Sequence, residues 1–184
     1  MRKLLLLAPV LIAAVPGSAL AQTTDTSTKN VGVVGTAPAI CFGGTLSGSG
    51  SYDLGVLIDT TTGQLRTDLS APSKVLVGSF CTGRSTITVA ATPLAAQNST
   101  SAPPVGFSRQ VNYTATASGW TTIPASYTTG AAANSASTQT RPSAFTGDIT
   151  VAISGFTTSG GQSLRLVADD NYLGLVTVTI AAVN

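Results

Sequence analysis

Apolar and polar positions alternate with a period of two along most of this chain. "YDLGVLID" sets Leu54, Val56 and Ile58 on one face, and "SKVLVGSFC" carries Val75 and Val77 toward Phe80 and Cys81. "STITVAA" alternates Ile87 and Val89 with threonine, and "VGFSRQVNYTATASGW" puts Phe107, Arg109, Val111 and Tyr113 on one side. "GDITVAISGF" does the same with Ile149, Val151 and Ile153, and "QSLRLVADD" with Leu164 and Leu166. The last segment, "NYLGLVTVTIAAVN", alternates Val176, Val178 and Ile180 with Thr177 and Thr179. Period two is the mark of a half-buried strand, and no segment carries the 3.6-residue stripe of a helix.

Roughly eight short strands separated by turn signals predict an all-β fold, an immunoglobulin-like antiparallel β-sandwich, with a closed barrel as the rival. The short "TGR" connection between the strands ending at Cys81 and starting at Ser85 predicts a hairpin. Thr92–Pro104 is rich in Pro, Ser and Asn, and Thr128–Ala144 is low in complexity; both predict loops, the second a long one.

The amino-terminal end breaks the alternation. Arg2 and Lys3 precede "LLLLAPVLIAAVPG", and Ala19-Leu20-Ala21 follows. A basic start, an apolar run too short to span a bilayer and a small-residue site predict a signal peptide over residues 1–21, and so export. Residues 22–40 then form a polar-to-weakly-apolar extension, and 41–184 the domain. The charge balance changes with that division. Arg2 and Lys3 account for the whole excess of nine Lys plus Arg over seven acidic residues, which argues against nucleic acid or membrane insertion.

An exported chain with two cysteines, Cys41 and Cys81, predicts one disulfide. Closing that loop stabilises a fold by about 4 kcal/mol in the chain-entropy model.

Catalytic chemistry finds little to work with. The chain has no His and no Glu, so the commonest general base and the commonest zinc ligand are missing. Ser–Lys pairing through Lys29 or Lys74 lacks a nucleophile motif, and both lysines read as solvated. Asp169-Asp170-Asn171 suggests an Asx-type turn more than a calcium loop. Trp120 and Tyr127 would suit a sugar-stacking platform, or else core packing. The expectation is a protein that is not an enzyme and uses no cofactor or metal.

The order of features resembles the spore coat protein U-like domain, which includes the subunits of archaic chaperone–usher pili. The matching pieces are Cys41 after an extended segment, "YDLGVLI", Cys81 at a strand end, "VNY" at 111–113 with Trp120 downstream, and "DDNYLGLVTVTI". The resemblance implies an incomplete immunoglobulin-like sandwich whose missing strand leaves a groove beside the terminal strand. A periplasmic chaperone would fill the groove first, and an outer-membrane usher would then exchange it for the extension of a copy or a related subunit. It implies that Val176, Val178 and Ile180 floor the groove, and that Val31 and Val33 are pegs offered to a neighbour. The expected function is a structural subunit of a surface fibre or coat, acting in adhesion or biofilm. The alternative is a free-standing secreted or periplasmic sandwich that binds sugar or protein through its loops.

Overall fold

The computed structural model describes residues 27–183, so the predicted signal peptide lies outside the described residues. Contacts within the chain divide it after Thr36. Residues 27–36 form no strand.

The domain from Ala37 onward is all-β: no helix occurs among the described residues. Its strands are β1 (Cys41–Phe42), β2 (Thr45–Leu46), β3 (Lys74–Cys81), β4 (Ser85–Ala91), β5 (Leu94–Ala96), β6 (Phe107–Ser108) and β7 (Gln110–Ser118). They continue as β8 (Ala125–Thr128), β9 (Thr138–Arg141), β10 (Phe145–Thr158), β11 (Arg165–Leu166), β12 (Tyr172–Leu173) and β13 (Val176–Ala182). An eight-stranded sheet runs β1-β3-β10-β7-β5-β12, with β2 added to β3 and β8 to β7. A smaller sheet runs β13-β4-β9. Every pair in both is antiparallel; only β6 and β11, a two-stranded sheet of their own, pair in parallel.

Alternation decides what each strand buries. Ile87 and Val89 of β4 meet Tyr113, Ala115 and Ala117 of β7 and Ile149 and Val151 of β10 in one core cluster shared by both sheets. The alanines leave room for Trp120, which is 0 % exposed. Its ring meets Phe145 edge-on at 5.1 Å between centroids, and its indole N–H donates to Ser85 Oγ at 3.3 Å. The Arg141 guanidinium lies 3.6 Å from the centre of the Phe145 ring and donates to the Trp120 carbonyl. A buried indole whose N–H is satisfied inside the core is a packing residue, which removes Trp120 as a sugar platform. Tyr127 packs against the same cluster.

Cys41 and Cys81 are bonded, and they sit directly opposite each other in the β1–β3 ladder. The disulfide therefore holds the first short strand onto the large sheet. At Gly119 the backbone takes φ +93°, and a Cβ there would come 2.6 Å from the Asp148 carbonyl oxygen, so this turn requires glycine.

Four local expectations change. The loop expected over Thr92–Pro104 contains β5, which pairs with β7 and β12. The "TGR" connection is no hairpin: β3 belongs to the large sheet and β4 to the small one, so the chain crosses between sheets there. The segment 54–58 forms no strand, only a bridge from Ile58 to Leu65, and Val56 faces solvent. The loop expected over 128–144 contains β9, whose hydroxyl, amide and guanidinium side chains gave no apolar signal.

The two sheets are joined along one side. The Ser126 amide donates to the Ala136 carbonyl and the Val89 amide to the Ser137 carbonyl, which links β8, β4 and the approach to β9. At one end they merge, because β4 runs on into β5 and β12 runs on into β13. There the Thr92 amide donates to the Leu175 carbonyl and the Leu175 amide to Thr92 Oγ1, both at 2.9 Å. On the remaining side, β13 pairs with β4 alone, and its other edge has no strand partner among the described residues.

Candidate functional site

Behind that free edge the inward side chains are only partly covered. In the β13–β4 ladder Ile180 sits opposite Ile87, and Val178 opposite Val89. Ile87 is 0 % exposed and Val89 1 %. One strand further out, Val176, Val178 and Ile180 pack against the same cluster but stay only partly buried. Thr177, Thr179 and Ala181 alternate with them and are exposed. Burial thus falls abruptly across a single strand spacing, on residues whose side chains point inward.

A groove lies at the start of β13, where Val176 but neither Val178 nor Ile180 lines it. One cleft of about 270 Å³ is lined by Tyr52, Leu54, Leu94, Tyr113, Ile153 and Val176, among others. It adjoins a second of about 670 Å³ that shares Tyr52, Leu54, Leu94 and Tyr172 with it and extends past Asp53, Asp169 and Asp170. One wall is the strandless segment 50–58; the other is the chain from Leu166 to Val176.

The groove is apolar because its tyrosines spend their hydroxyls elsewhere. Tyr52 donates to the Val151 carbonyl at 2.8 Å, Tyr113 to the Leu175 carbonyl at 3.2 Å, and Tyr172 to the Val167 carbonyl at 2.8 Å. The rings are left as lining. Burial, with the nearby Tyr52, pushes the Tyr113 phenol up to about 12. Burial likewise raises Tyr52 and Tyr172.

The far end of the groove is acidic and tightly tied. Desolvation works against the Asp169 carboxylate, but the amides of Ser99, Asn171 and Asn98 together hold its pKa below the ordinary carboxylate range. The bond from the Asn171 amide to Asp169 makes this the Asx-type turn expected from the sequence, and the Asn98 side chain bridges Asp169 and Asp170. No group of three or more potential metal-ligating side chains occurs among the described residues.

Val176, Val178 and Ile180 therefore lie where the free edge and the core meet. Val31 and Val33 lie outside any strand, 86 % and 96 % exposed. Lys74 reaches Ser49 Oγ at 3.0 Å and lies 5.8 Å over the Tyr52 ring. Sequence reasoning missed Tyr52, Leu94, Tyr113, Ile153 and Tyr172 as groove residues. For Tyr113 and Ile153 the period-two pattern marks the inward face, but the pattern is the same whether that face is covered or left open.

Compared with known protein families, curated proteins and solved structures, the chain matches none.

Proposed function

We propose that this chain is an exported structural subunit of a surface fibre or coat, assembled by strand addition. The observation that carries the proposal is the half-buried inward face of β13 beside fully buried register partners in β4. The fold is then an immunoglobulin-like sandwich lacking one strand. An unpaired edge backed by half-buried apolar side chains is an aggregation liability unless another chain regularly covers it. A strand laid along β13 would satisfy its free amides and carbonyls and seal Val176, Val178 and Ile180 from water. In transit a periplasmic chaperone would supply that strand; at an outer-membrane usher, the extension of a copy or of a related subunit would replace it. Residues 22–40, with Val31 and Val33, are the chain's own candidate donor. Adhesion or biofilm formation is the role that fits such a polymer.

Surface-sheared material from the producing cell, run on a detergent gel with and without boiling, tests this. The expected result is detergent-resistant complexes containing this chain that collapse to monomer only on heating. A monomer band in both lanes would overturn strand addition and favour a self-sufficient secreted module.

A further inference from the structure

The groove has room and charge that narrow the choice of strand. Its two adjoining clefts measure about 270 and 670 Å³, whereas a cavity of about 150 Å³ accepts a benzene ring. The walls are ring faces and aliphatic chains, because the three tyrosine hydroxyls are bonded to backbone carbonyls. Asp53, Asp169 and Asp170 line the larger cleft, and no Lys or Arg lines either one.

The chain's own extension fits this poorly. Between Gln22 and Ile40 the large apolar side chains are Val31, Val33, Val34 and Ile40, and Ile40 is tied to its own domain, its amide donating to Thr82 Oγ1 at 3.0 Å and its carbonyl accepting from the Thr82 amide at 2.9 Å. Strand neighbours on one face are two residues apart, so Val31 and Val33 would enter together and Val34 would point away. Two isopropyl groups underfill space sized for aromatic rings, and an underfilled apolar site forfeits dispersion contacts.

Resting on the strand-addition reading, we propose that the tight-binding occupant is a strand of a different chain. It presents large aliphatic or aromatic side chains at alternate positions, and a Lys or Arg at the end that lies over Asp53, Asp169 and Asp170. This subunit would then be joined mainly to unlike partners and only weakly to copies of itself.

An NMR titration of the full chain tests this, following the ring resonances of Tyr52, Tyr113 and Tyr172. One peptide copies residues 27–36; a second carries V31F and V33L; a third is the second flanked by lysines, and a fourth is flanked by glutamates. The proposal expects the V31F/V33L peptide to bind at least tenfold tighter than the native one. Lysine flanks should bind severalfold tighter than glutamate flanks, with the difference shrinking in high salt. Equal affinity for native and enlarged peptides, or tighter binding of the native one, would overturn the unlike-partner inference and leave strand addition standing. Indifference to the flanks would overturn its acidic-end component. Failure of every peptide to move the tyrosine resonances would overturn strand addition itself.

Discussion

Tyr113 joins the groove to the core, and its ionisation follows from that position. An unfolded tyrosine loses its proton near 10.0, whereas Tyr113 keeps its own to about 12. Between those values the unfolded chain binds fewer protons than the native one, so stability is complete below the lower value and falls as pH rises through the upper. Tyr52 and Tyr172 are raised in the same direction. Denaturant titrations from pH 9 to 12 should show this alkaline loss, and Tyr113→Phe should make it shallower while costing about 1 kcal/mol at neutral pH for the bond to Leu175. Asp169 acts at the other extreme. Its lowered pKa means that stability is present above 3.8 and is lost as pH falls below it. Asp169→Asn should flatten the acid limb of the same profile. A third comparison uses register partners. Ile87→Ala should cost about 2–5 kcal/mol, as for a filled core site, and Ile180→Ala distinctly less in the isolated chain, because water already reaches it. Equal costs by chemical denaturation would mean that the β13 face is as complete as the β4 face.

Among the elements, the disulfide has the clearest role. It pins β1, a strand of only two residues, to β3, and β1 in turn lies near β13. Replacing both cysteines with serine should destabilise the domain by about 4 kcal/mol, read from denaturation midpoints. The same elements show what alternation can and cannot reveal. Ile87, Val89, Ile149 and Val151 were legible as inward residues because period two fixes which face a side chain takes. It does not fix which strand lies alongside, so β3 and β4 looked like a hairpin although a sheet crossing separates them. Strand β9 was invisible because "TQTR" has no apolar member; it exists as the strand that covers the second edge of β4. Segment 54–58 failed for the opposite reason. Its apolar residues alternate, but Gly55 adopts φ +63° and the chain leaves the sheet to become a groove wall.

Over the whole domain from Ala37 onward, the two sheets are bonded together along one side, merged at one end, and open beside β13. On the strand-addition proposal, a domain held this way is folded yet unfinished, and the missing piece is a strand. Amide hydrogen exchange across Val176–Ala182 tests that claim most directly, measured in the isolated chain and in the surface-sheared assembly. The account predicts fast exchange in the isolated chain for those β13 amides that do not point at β4, and strong protection of the same amides in the assembly, with β4 protected in both. Equal protection of β13 in the two states would contradict it, because the edge would then have no strand left to receive.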